Sequence, residues 1–112
     1  MFGLSKKIIP SSLISYSMQV SGQIYSDSEV YVDGVVEGEI SAKIIIVGIN
    51  GRIKSTKINA EKIVVHGEIE GNINAISVYL GSTARINGNI LHRDISIENG
   101  AFVNGDLKKR RD

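Results

Sequence analysis

Two histidines and two closely spaced pairs of glutamates are the side chains here with the types for acid–base or metal chemistry. An imidazole acts as base, acid or ligand when a carboxylate, a nucleophile or a second ligand stands beside it. Neither His66 nor His92 has a Ser–Asp partnership or a metal-ligand spacing around it. Both therefore read as surface side chains, His66 pointing outward after the inward Val65 and His92 lying near a corner. Glu37/Glu39 and Glu68/Glu70 each fall on one exposed side of an extended stretch. Like charges there could raise a pKa, but no pocket is implied and a solvated face is the plainer reading. Gly34 with Gly38, and Gly67 with Gly71, match GxxxG, yet they stand in strand-like surroundings, so the membrane-helix reading of that motif fails. No G-x-x-x-x-G-K-[ST] phosphate loop occurs, which argues against nucleotide-driven assembly. The chain contains no cysteine, which excludes disulfides and thiolate metal sites and fits a reducing interior. No catalytic, cofactor-binding or metal-binding residue is nominated, no cofactor is implied, and the chain is expected not to be an enzyme.

Charge narrows the partners. Residues 13–107 hold seven Lys/Arg against eleven Asp/Glu, a balance of −4, beneath a formal net charge of +1 for the whole chain. The other six basic residues sit in the tails: Lys6, Lys7, Lys108, Lys109, Arg110 and Arg111. An acidic body without aromatic stacking platforms does not suit nucleic acid. No apolar run is long enough to span a bilayer, and the start lacks a signal-peptide h-region. Met1, Phe2 and Leu4 followed by Lys6 and Lys7 could enter a membrane surface, apolar groups in the interface and lysines on anionic lipid. A polymer would multiply that weak contact by avidity. The other reading of the same residues is a solvated flexible tail.

What positions these residues is a repeat. VDGVVEGEI at residues 32–40 returns as VHGEIEGNI at 65–73. Apolar anchors recur at Val20, Val36, Ile53, Ile69, Ile86 and Val103, spaced 16, 17, 16, 17 and 17. Two residues after each anchor stand Gly22, Gly38, Ser55, Gly71, Gly88 and Gly105; two further on come Ile24, Ile40, Lys57 or Ile58, Ile73, Ile90 and Leu107. The third copy slips by one residue. A pair of period two precedes each anchor: Ile14/Tyr16, Val30/Val32, Ile45/Val47, Ile63/Val65, Val78/Leu80 and Ile95/Ile97. Short Ile/Val alternations broken by glycine are strand patterns, and a fixed period near 17 calls for a repeat architecture.

Three short strands per period close a triangular coil, and coils stacked in parallel ladders ~4.8 Å apart make a solenoid ~29 Å long. The fold expected is all-β, a single-domain right-handed parallel β-helix of about six triangular coils with a hydrophobic core. Its boundaries are placed at 1–13 for the N-terminal tail, 14–107 for the β-helix and 108–112 for a basic C-terminal tail. Links lengthened by two residues in VGINGRI, LGSTARI and IENGAFV carry turn formers, which a solenoid accepts at one corner. Arg52, Glu68 and Arg85 before the anchors, and Glu37, Lys54 and Glu70 after them, should form columns of alternating charge.

Neither end carries an amphipathic helix as a cap, so the end rungs should be adhesive to their own kind. Ile14 and Tyr16 at one end, and Phe102, Val103 and Leu107 at the other, are the expected polymerisation surfaces. Phe102 occupies an outward column held elsewhere by Gln19, Val35, Arg52, Glu68 and Arg85. An aromatic there fits a subunit contact, with a stray exposed ring or one tucked under the tail as the alternatives.

Six V-x-G-x-I coils without a catalytic set, a start at Met1-Phe2 with lysines close by, and the run VDGVVEGEI-SAKIIIVGINGRI resemble the bactofilins over residues 14–107. The resemblance implies a bacterial cytoskeletal scaffold that polymerises end to end, without nucleotide, into non-polar filaments at the cytoplasmic face of the inner membrane. There such filaments organise cell-wall synthesis or hydrolysis enzymes and cell shape. It also favours the membrane reading of the N-terminal segment. Family tails are often longer and richer in proline, whereas this chain has only Pro10. Two other classes stay open: a hexapeptide-type acyltransferase, which would show a stricter six-residue period and a cleft histidine, and a monomeric protein-binding adaptor.

Overall fold

The computed structural model of the chain describes residues 11–110. The expected membrane segment, with Met1, Phe2, Leu4, Lys6 and Lys7, lies outside the described residues. Within them every strand pairing is parallel and no helix occurs.

The first coil is β1 (Ser11–Ile14), β2 (Gln19–Ser21) and β3 (Ile24–Tyr25), and the second begins with β4 (Glu29–Val32) and β5 (Val35–Glu37). Three long strands then turn corners without breaking: β6 (Ile40–Val47), β7 (Arg52–Val65) and β8 (Glu68–Leu80). The fifth coil closes with β9 (Arg85–Asn87) and β10 (Ile90–His92), and the sixth is β11 (Asp94–Ile97), β12 (Phe102–Asn104) and β13 (Leu107–Lys109). The result is a parallel β-solenoid of about six turns.

Register is that of the repeat. Val20, Val36, Ile53, Ile69, Ile86 and Val103 lie one over another, as do Ile24, Ile40, Ile58, Ile73, Ile90 and Leu107. In-register stacking places Ile and Val on Ile, Val or Leu of the next coil, and the inward Ile, Val and Leu side chains between residues 30 and 90 are buried, at most 3 % exposed. Each fully buried Ile or Val contributes roughly 1.5–3 kcal/mol against exposure, offset by ordering entropy.

The structure corrects the sequence reading in coil one and decides between its two alternatives in coil three. In coil one Ile14 is the second member of the pair and not the first: it pairs with Val32, Ser12 pairs with Val30, and Tyr16 stands exposed in the following turn. Coil one thus belongs with the long-link coils. Each such link closes a four-residue turn, Met18 N donating to Ser15 O, Gly51 N to Gly48 O, Ala84 N to Gly81 O and Ala101 N to Glu98 O at 2.9–3.2 Å. In the third coil Ile58 is the inward residue and Lys57 is exposed. Strand pairing runs from Ser11 to Lys109, since ladder hydrogen bonds need only backbone.

Glycine explains the slip in the third coil. Gly22, Gly38, Gly71, Gly88 and Gly105 turn the second corner with φ of +119° to +150°, a region that residues with a side chain rarely enter. Ser55 cannot take that conformation. The chain inserts one residue instead, and Ser55 Oγ ties the enlarged corner by accepting from Lys57 N and donating to Lys57 O, both at 3.0 Å. A methyl group on Gly88 would also overlap the Gly71 carbonyl oxygen of the coil beneath, whereas one on Gly22 would meet nothing within 4 Å.

Gly88→Ala should therefore lower unfolding free energy by at least about 2 kcal/mol, through strain plus overlap. Gly22→Ala, which carries strain alone, should cost about 1 kcal/mol. Urea midpoints followed by circular dichroism separate the two; equal losses would remove the overlap from the explanation.

Candidate assembly interface

The core columns must stop somewhere, and the two ends stop differently. At the C-terminal end Ile97, Phe102 and Leu107 remain 45, 48 and 43 % exposed, while Leu80, Ile86 and Ile90 directly beneath that coil are at most 1 % exposed. Ile95, Ala101 and Val103 are half-buried against the core. Within the described residues β11, β12 and β13 each pair on one side only, so their outer backbone edges are open. An apolar rung with an unpaired ladder edge is a template for more chain.

At the N-terminal end Ile14, Val20 and Ile24 are buried, at 3, 9 and 2 % exposure. Of the two expected contact residues there, Ile14 therefore presents no side chain, because it packs inward in the Val32 column. Tyr16 projects from its turn, with Leu13 exposed beside it. β1, β2 and β3 also pair on one side only among the described residues. This end offers backbone edges more than an apolar surface.

Phe102 completes the outward column that runs Gln19, Val35, Arg52, Glu68, Arg85, Phe102 in register. Its ring is half exposed, with the Arg85 guanidinium over it, 5.2 Å from the centroid. That cation–π contact holds the ring upright at the rim of the last coil. The charge columns form as well, with Arg52 Nε–Glu68 Oε1 at 2.9 Å and Lys54 Nζ–Glu70 Oε1 at 4.0 Å. Both pairs are largely exposed and serve register more than stability. Glu39 accepts a long hydrogen bond from Gln23 Nε2 at 3.4 Å. The paired glutamates are thus drawn apart toward neighbouring coils, and no two of them share a proton-transfer site.

His92 overturns the surface reading. Its side chain faces the interior at 9 % exposure, and its Nδ1 has no hydrogen-bond partner. Parity explains this: Ile90 points in, Leu91 out and His92 in, the places of Ile40 and Ala42, Ile58 and Ala60, and Ile73 and Ala75. The Ile-x-Ala repeat could have revealed it. His66 is half-buried, packed edge-on against Tyr79 at 6.1 Å and 63°. Burial, with the Glu98 carboxylate accepting its hydrogen bond, raises the Tyr79 pKa above the ordinary phenol value. Neither histidine ring is hydrogen-bonded to a carboxylate, and no group of three potential metal ligands gathers, among the described residues. No helix among them is long and apolar enough to cross a membrane. A shallow depression of 520 Å³ on the third face, between Lys57 and Lys108 and floored by Ile58, Ile73 and Ile90, holds asparagines rather than an acid–base pair.

Comparison with known proteins places this geometry. The family model for bactofilin, described as polymer-forming cytoskeletal, matches residues 12–108. The structure is similar to that of the cytoskeletal bactofilin BacA determined by solid-state NMR, with a TM-score of 0.82 at 30 % identity, covering 91 % of this chain and 98 % of that one. It is also similar to a bactofilin of Thermus thermophilus in double helical filaments seen by cryo-EM, with a TM-score of 0.66 at 27 % identity over 93 % of each chain. A point-mutant crystal structure of the Thermus thermophilus bactofilin gives a TM-score of 0.62 at 26 % identity, covering 80 % of this chain and 100 % of that one. No curated protein matches the chain.

Within the fifth coil, Ile90→Ala should cost about 2–5 kcal/mol, the loss typical of a filled core position. His92→Ala restores the alanine of neighbouring coils and removes an unpartnered buried nitrogen, so its stability should stay within about 1 kcal/mol of wild type. Thermal melts of the two variants test this; a loss at His92 as large as at Ile90 would mean that the ring is a true packing element.

Proposed function

This chain belongs to the bactofilin family of polymer-forming cytoskeletal proteins, and we propose that it assembles end to end, without nucleotide, into non-polar filaments. The observation that carries this reading is the exposed apolar rung of Ile97, Phe102 and Leu107 above an otherwise sealed core. A second copy laid on it would cover those side chains and pair the open strand edges, across a two-fold in the antiparallel sense rather than the parallel one found between coils. Among the described residues only the C-terminal end exposes such a rung, so its natural complement is the same rung of another copy. A two-fold joint of that kind reverses the chain direction and makes the filament non-polar. The remaining joint would then use the backbone edges of β1, β2 and β3 with Tyr16 and Leu13 at its rim. The Thermus thermophilus relative in double helical filaments supports assembly by the same fold.

The cellular role follows from that polymer and from residues 1–9. A filament displaying many Phe2/Leu4/Lys6/Lys7 segments would hold the cytoplasmic face of the inner membrane by avidity. Anchored there, it would serve as a cytoskeletal scaffold for cell-wall synthesis or hydrolysis enzymes and so influence cell shape. Neither nucleotide nor nucleic acid has a part in this reading.

Purified full-length protein should form filaments in negative stain without ATP or GTP. Phe102→Arg should abolish or shorten them while the β-rich circular dichroism spectrum persists; filaments of normal length from that variant would take Phe102 out of the joint. Deleting residues 1–9, or Phe2→Glu, should release filaments from anionic liposomes in a sedimentation assay, with filament length unchanged. Undiminished lipid binding by both variants would refute the tether.

A further inference from the structure

Four Asn-Gly dipeptides occur in the chain, beginning at Asn50, Asn87, Asn99 and Asn104. Asn before Gly is open to self-modification, because no side chain shields the next backbone nitrogen from the Asn amide carbon. All four asparagines are exposed, so access to water does not separate them. The state of the glycine amide does. Gly51 is buried, and its N–H closes a turn on Gly48 O at 2.9 Å. Gly88 N–H donates to Asn104 O of the next coil, also at 2.9 Å. Gly100 and Gly105 are exposed, and among the described residues neither amide donates a hydrogen bond. Both belong to the sixth coil. Asn99 stands one place earlier in its turn than Asn50 does, so Ala101 rather than Gly100 supplies the closing donor. Gly105 repeats the corner of Gly88, but its acceptor would belong to a seventh coil.

We infer that Asn99 and Asn104 are sites of spontaneous deamidation, a chemical clock for unassembled subunits set in the coil that assembles. The unbonded glycine nitrogen attacks the Asn side-chain carbonyl carbon and forms a C–N bond. The C–NH2 bond breaks, and ammonia leaves with the proton that the glycine nitrogen gives up. Water then opens the succinimide ring at either carbonyl, leaving an aspartate or an isoaspartate. Solvent water is the only co-reactant, and nothing is oxidised or reduced. The product matters because of where it falls. Each conversion adds a negative charge close in sequence to Glu98 or Asp106, on the rung that meets another copy. Across a two-fold joint that charge enters twice with the same sign. At position 104 conversion also removes the Nδ2 donor that Asn87 Oδ1 accepts at 3.0 Å. An isoaspartate there adds a main-chain carbon within β12, against its register with β9. This consequence, though not the chemistry, rests on the end-to-end reading. A joint over the sixth coil would shield both amides, so chains in filaments keep their asparagines and free chains lose them.

The test follows all four sites by peptide mass spectrometry in full-length protein incubated at mildly alkaline pH, as wild-type filaments and as the Phe102→Arg chain. In the Phe102→Arg chain Asn99 and Asn104 should convert about tenfold or more faster than Asn50 and Asn87, whose glycine amides must first be released from a hydrogen bond. In wild-type filaments conversion at positions 99 and 104 should be about threefold or more slower than in the free chain. Asn99→Asp combined with Asn104→Asp should shorten filaments in negative stain. Asn99→Gln combined with Asn104→Gln should keep wild-type length and hold it through the incubation. Conversion at Asn50 and Asn87 as fast as at Asn99 and Asn104, or none at the latter two, overturns the sites. Equal rates in filaments and free chains, or aspartate variants with filaments of wild-type length, overturn the clock. Should the wild type form no filaments, the end-to-end reading fails, and the four rates in the free chain still decide the chemistry.

Discussion

Everything in this molecule depends on one constraint: each coil must lie in register on the one beneath, so that backbone ladders and inward side chains repeat at the strand spacing. Parallel pairing at ~4.8 Å leaves no freedom to slide, since a one-residue slip would turn every buried Ile and Val to solvent. The chain keeps that register while varying its length elsewhere. Links of four or six residues between the first two faces, and one extra residue at the Ser55 corner, are absorbed in turns that do not disturb the columns. What cannot vary is the tight second corner, where only glycine reaches the backbone conformation and clears the carbonyl of the preceding coil.

The same constraint makes assembly the ordinary behaviour of the fold. A ladder has no internal reason to end, and among the described residues the last coil leaves apolar side chains uncovered and strand edges unpaired. Covering the last coil with another copy draws on the same two interactions that join coils within the chain, apolar burial and backbone hydrogen bonding. The buried first rung and the exposed last rung make the two ends of the solenoid unlike each other.

Chemistry is scarce for the same reason. A side chain that points inward meets its own column, and one that points outward meets neighbours of its column on a nearly flat wall. Carboxylates become rungs of charge ladders, as with Glu68 between Arg52 and Arg85, and His92 takes an alanine's place in the core with no acid to orient it. What the wall offers instead is whole surfaces: the uncovered last coil, and a side where an outward column is apolar through five coils.

The period near 17, the anchor columns, the outward column that ends in Phe102 and the alternation of charge were all legible in the sequence, because side-chain period and strand register are local consequences of residue order. Coil one was misread there: Tyr16 fits the alternation as well as Ile14 does, and only pairing with β4 shows which residue lies under Val32. His92 was missed for want of noticing that Ile-x-Ala recurs, and the outward stripe because its members are scattered at intervals of 15 to 18 residues. Sequence by itself therefore determined the coil, its register and its wall. Tertiary structure alone decided which end stays uncovered and which side is apolar, because exposure depends on the stacking of residues distant in the chain, and no single repeat contains it.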